Sequence, residues 1–62
     1  MKKKVYILEP TNEALTACAE IINRIPCFSL REYAPSRETL EFTIECREED
    51  LPFVERMLAP YV

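Results

Sequence analysis

The order of its segments constrains this chain more than any other feature. Lys4-Val5-Tyr6-Ile7-Leu8-Glu9 reads as a strand and residues 12–25 as a helix. Residues 27–33 and 39–47 read as two strands around a turn, and 48–58 as a second helix. Strand, helix, strand, strand, helix is the order of a split βαββαβ sandwich that stops, at Val62, one strand short. That further strand would flank Val5–Leu8, so the expectation is an uncovered edge on the most apolar strand. Such an edge must be covered or made unattractive to other chains.

Local chemistry supports each segment. The apolar run Val5-Tyr6-Ile7-Leu8 does not alternate, which suits a strand covered on both faces. Glu9-Pro10 ends it, because proline cannot donate to a ladder. Thr11 or Asn12 can cap the next helix, with Glu13 well placed against its positive end. Leu15, Cys18, Ile22 and Ile25, joined by Ala14 and Ile21, recur at helical spacing and predict the buried stripe. Pro26 ends that helix by biasing Ile25 towards extended backbone. In residues 39–47, Leu40, Phe42, Ile44 and Cys46 alternate with Glu41, Thr43, Glu45 and Arg47, the pattern of a half-buried strand. The second helix opens on Glu48, Glu49 and Asp50, has Pro52 in its first turn and Arg56 near its end, and carries Leu51, Val54, Met57, Leu58 and Tyr61 as its stripe.

The hairpin register follows from matching apolar faces. With a turn at 34–38, Leu30 is expected opposite Phe42, Phe28 opposite Ile44 and Arg31 opposite Glu41. That register places Phe28 and Leu30 under the helices, and Ser29, Arg31 and Tyr33 on the outer face with Glu41, Thr43 and Glu45. It sends Cys27 outward and Cys46 inward, so these two should not form a disulfide. A right-handed first crossover then gives strand order 2-3-1 with both helices on one face, a single α+β domain over residues 1–62.

Composition narrows the chemistry. A 62-residue chain buries only about 60% of its unfolded surface, so self-association is a natural source of added stability. A net charge of −3 matches phosphate backbones poorly, so no nucleic acid is expected. Lys2-Lys3-Lys4 reads as a solubilising flank that discourages edge pairing; the short apolar run after it is neither a signal peptide nor a membrane anchor. An odd set of three cysteines without a signal peptide points to the cytoplasm. The chain has no histidine, which removes Ser-His and Cys-His couples and the usual zinc sites, and no glycine, which removes phosphate-cradling loops. No catalytic residue, metal ligand or cofactor is therefore assigned. Glu41 and Glu45 read as a solvated strand face rather than an acid–base pair, and Glu48, Glu49 and Asp50 as helix-start acids rather than cation ligands. Cys18 and Cys46 read as small buried hydrophobes, and Cys27 as the one thiol open to reaction.

The best candidate site is the loop Glu9, Pro10, Thr11 and Asn12, between a strand end and a helix start whose free amides suit a carboxylate or other anion. Helix capping alone is the plainer role for Thr11 and Asn12. Val5, Tyr6, Ile7 and Leu8 are the candidate interface, strand to strand or through the outer faces.

Val5 to Glu9 with Pro10, Leu15 opening the helix, Ile21-Ile22 near its end, the hairpin, and Asp50-Leu51 with Val54, Met57 and Leu58 together resemble the ACT family of small regulatory domains, within the wider ferredoxin-like class. The resemblance spans Val5 to about Leu58. It implies a two-layer sandwich, a homodimer, and an amino acid or small anion bound at the loop after the first strand. Two departures stand out: Thr11 follows the proline where that family commonly has glycine, and the last strand is absent. Small tautomerases have a similar size and opening strand, but their N-terminal proline is replaced here by Met1-Lys2. The expectation is a non-catalytic homodimeric regulatory or ligand-binding module; the alternative is an assembly module that uses the first-strand edge without a small ligand.

Overall fold

A computed structural model describes residues 1–62. The order is β1 (Lys2–Leu8), α1 (Asn12–Arg24), β2 (Cys27–Ala34), β3 (Thr39–Cys46), a 3-10 turn at Glu48–Asp50, α2 (Leu51–Leu58) and a 3-10 turn at Ala59–Tyr61. The sheet order is β1-β3-β2, antiparallel throughout. This is the expected α+β, ferredoxin-like βαββα sandwich with β3 in the middle. β1 begins earlier than the apolar run suggested, so all three lysines lie within the strand.

The helix boundaries follow local rules. Thr11 has extended backbone, and its Oγ1 accepts from the Ala14 amide at 3.2 Å. Ile25 is again extended before Pro26, which closes α1. Arg47 reaches Asp50 at 2.8 Å and Glu49 at 3.5 Å, tying the acidic 3-10 turn to the end of β3. α2 carries its proline in the first turn. α2 ends at Leu58, two residues before Pro60, and residues 59–61 tighten into a 3-10 turn.

Eleven of 62 residues are buried, and none is polar. They are Leu8 of β1, Ala14, Ala17, Cys18 and Ile21 of α1, Leu40, Phe42, Ile44 and Cys46 of β3, and Val54 and Leu58 of α2. The buried side of α1 is therefore rotated towards its small residues: Ala14, Ala17 and Cys18 let the helix approach the sheet, while Leu15 turns partly out. β2 contributes no fully buried residue, although α1 touches it and Cys27 packs against the core.

The hairpin register differs by one residue from the sequence expectation. Leu30 faces Thr43, Phe28 faces Glu45, Arg31 faces Phe42 and Cys27 faces Cys46. The reason lies in the turn. Ala34 pairs with Thr39, so the loop is four residues, 35–38, rather than five. The Arg37 amide donates to the Ala34 carbonyl at 3.1 Å and the Glu38 amide to Pro35 at 3.3 Å. Glu38 then takes φ 51°, the left-handed conformation that a glycine would otherwise supply. Shortening the loop by one residue slides the register, and a one-residue slide turns every β2 side chain to the other face. Phe28 and Leu30 thus lie on the helix-free face, and Ser29, Arg31 and Tyr33 on the helix side. The expected Arg31–Glu41 ion pair does not form, and Cys27 and Cys46 lie on the same face of the sheet, as direct cross-strand partners, instead of on opposite faces.

Candidate functional site

The loop 9–12 is closed on itself more than its sequence suggested. The Glu9 amide donates to the Tyr61 carbonyl at 2.8 Å, which straps the chain's C-terminal turn across the end of β1. The Thr11 amide donates to the Glu9 carbonyl at 2.9 Å, and the Thr11 carbonyl accepts from Leu15. Thr11 Oγ1 accepts the cap bond from Ala14, which fixes the direction of the hydroxyl and leaves only its O–H and one lone pair for any other partner. The partnership with Tyr61 left no signal in the sequence, since it pairs residues from opposite ends of the chain.

The four candidate loop residues do not converge. Pro10 lines a small apolar pocket of about 270 Å³ with Leu15, Tyr33 and Leu40. Asn12 lines a separate groove of about 610 Å³ between α1 and α2, with Glu13, Thr16, Glu20, Arg56 and Tyr61 among its walls. The groove combines one guanidinium with two carboxylates, and its floor is the alanine and methionine of the facing helices.

The helix-free face of the sheet has a different character. Pairing places three rows across it: Lys3, Glu45 and Phe28; Val5, Thr43 and Leu30; Ile7, Glu41 and Glu32. Val5 is 53% exposed, Ile7 51%, Leu30 56% and Phe28 71%. Four large apolar side chains on one uncovered sheet face are more than the scattered exposure of an ordinary surface. Of the candidate interface residues, Val5 and Ile7 belong to this face, whereas Leu8 is core and Tyr6 packs half-buried against it. Phe28 and Leu30 escaped the sequence reading because their alternation with Ser29 and Arg31 fits either face equally well.

The face is also charged asymmetrically. Lys3 and Glu45 lie opposite each other at one end. Glu41 and Glu32 lie opposite each other at the far end, an arrangement of like charges that destabilises a bare strand pair. Lys4 points to the other side and reaches Glu55 of α2 at 3.3 Å. The lysine run is thus divided between the two faces of β1.

The remaining candidates resolve into structural roles. Asp50 and Glu49 are held by Arg47, and no group of three or more Cys, Asp or Glu side chains converges as a metal site. The Tyr6 hydroxyl is buried without a partner; burial first, and the nearby Glu55 second, push its pKa up. Burial is also the main cause that raises all three thiols, with Asp50 adding to it at Cys27 and Cys46.

No helix is long and apolar enough to cross a membrane. Compared with protein-family models, curated proteins and solved structures, the chain matches none.

Proposed function

We propose that this protein is a non-catalytic interaction module that works as a homodimer, with the helix-free sheet face as its contact surface. The observation that carries the proposal is the exposure of Val5, Ile7, Phe28 and Leu30 on that face. Strand-to-strand pairing at β1 alone would leave Phe28 and Leu30 uncovered, because they lie on β2 at the opposite margin. Packing face against face covers all four. Charge supports a second copy as the occupant. Lys3 lies at one end of the face and the Glu32–Glu41 pair at the other. A two-fold that reverses strand direction brings each Lys3 towards the partner's carboxylates and sets the middle row, Val5, Thr43 and Leu30, against itself. A core of only 11 buried residues adds a thermodynamic motive, since burying the face supplies apolar contact the monomer lacks.

Light scattering coupled to size-exclusion chromatography tests this. The wild-type chain should give a dimer mass at high micromolar concentration, and Leu30→Glu should give a folded monomer. A wild-type monomer throughout that range would overturn the proposal.

One observation favours a ligand-binding alternative, the regulatory role that resemblance to ACT domains implies. The groove between α1 and α2 sets Arg56 across from Glu13 and Glu20, a pairing suited to the carboxylate and ammonium of an amino acid. Under that alternative, amino acids raise the melting temperature with the logarithm of their excess. Under the assembly role they leave it unchanged, while raising protein concentration increases it.

A further inference from the structure

Cys27 and Cys46 face each other directly across β2 and β3 at the open end of the hairpin. In an antiparallel pair, opposite residues point to the same side, with Cα atoms about 4.5–5.5 Å apart. That separation falls inside the range of about 4.4–6.8 Å that a disulfide spans without moving the backbone. Both thiols are free, and the two differ in access: Cys46 is fully buried, whereas Cys27 is partly open at the start of β2. The third thiol, Cys18, is buried on α1 and has no facing cysteine in the sheet.

We propose that Cys27 and Cys46 form a reversible cross-strand disulfide, with a low-molecular-weight disulfide such as oxidised glutathione as the oxidant. The open position of Cys27 makes it the attacking group. Its thiolate displaces one glutathione thiolate and forms a mixed disulfide. The Cys46 thiolate then attacks the Cys27 sulfur, forms the intramolecular bond and releases the second glutathione. The two protein thiols lose two electrons and two protons in all; the oxidant gains the electrons, and the protons go to its thiolates. Burial and the Asp50 carboxylate hold both thiols above their ordinary pKa. Proximity, rather than an activated thiolate, therefore drives the reaction. The bond closes the end of the hairpin remote from the 35–38 loop. It thereby fixes the register that puts Phe28 and Leu30 on the outer face.

The test is equilibration of the folded chain in glutathione redox buffers, followed by alkylation and peptide mapping by mass spectrometry. The expected product joins Cys27 to Cys46 within one chain, leaves Cys18 alkylatable after unfolding, melts at higher temperature and reverts with dithiothreitol. Cys46→Ala should stop at glutathionylated Cys27, and the milder Cys27→Ser, which changes a partly open position, should abolish the bond. Three results would overturn the proposal: both thiols staying free in oxidising buffer, glutathionylation of the wild type without ring closure, or linkage of Cys27 to Cys18 or to another chain.

Discussion

At Glu38, a single backbone angle carries the consequences of a chain without glycine. It is the only residue with positive φ, and a side chain there costs about 1–2 kcal/mol relative to right-handed backbone. Glu38→Gly should therefore raise the melting temperature by several degrees, at about 4–8 °C per kcal/mol for a domain of this size. Calorimetry or thermal circular dichroism checks it; a fall in melting temperature would show that Glu38 is not strained. With no glycine in the chain, the expectation is turns built from proline, asparagine, serine or alanine and no glycine-like turn, yet one residue of the tight loop takes the left-handed backbone. Which residue would do so could not be told, because the answer depends on whether Ala34 joins the strand or the loop. The candidate residue Thr11 shows the converse case. Its capping role follows from nearest neighbours alone, and the structure bears it out.

At the scale of elements, caps and prolines acted as local punctuation and were legible. α1 starts at the Thr11 cap and stops before Pro26, as the sequence implied. Thr11→Ala should destabilise the fold by about 1 kcal/mol, a loss measurable as a lower urea midpoint with an unchanged slope. β3 was legible too, because Leu40, Phe42, Ile44 and Cys46 alternate against charged neighbours and only one face can be buried. β2 was not. Phe28 and Leu30 look like core residues, yet the loop of four places them outside. The apolar match that favoured the other register is a gain available only if the helices bury β2, and α1 touches β2 without fully burying any of its residues. Half of the outer surface was therefore hidden from sequence reasoning. For β1 the sequence left open whether Val5 and Ile7 or Tyr6 and Leu8 faced outward, and the structure turns Val5 and Ile7 out.

For the molecule as a whole, stability should depend on pH through the thiols. Burial raises the pKa of Cys18, Cys27 and Cys46 above the ordinary value of 9.0. Below that value both folded and unfolded chains keep these protons, and the stabilisation is fully present. As pH climbs past it, the unfolded chain releases protons that the folded chain retains, so stability falls until the folded thiols titrate in turn. Tyr6, raised above 10.0 by burial, extends the decline. Urea midpoints measured from pH 7 to pH 11 should be flat and then fall. Replacing Cys27 with serine should reduce the fall, and an unchanged profile would exclude a thiol origin at that position. By itself, the sequence determined the order of the elements, the helix ends, the buried face of β3 and the strand order 1-3-2. Each of these rests on signals that act within a turn or a strand, or on the handedness of a short crossover. Only the tertiary structure decided the facing of β2, the meeting of Cys27 with Cys46, the Glu9–Tyr61 strap and the composition of the uncovered face. These depend on one residue of loop length and on how far two short helices extend over a sheet. No run of neighbouring residues encodes either distance.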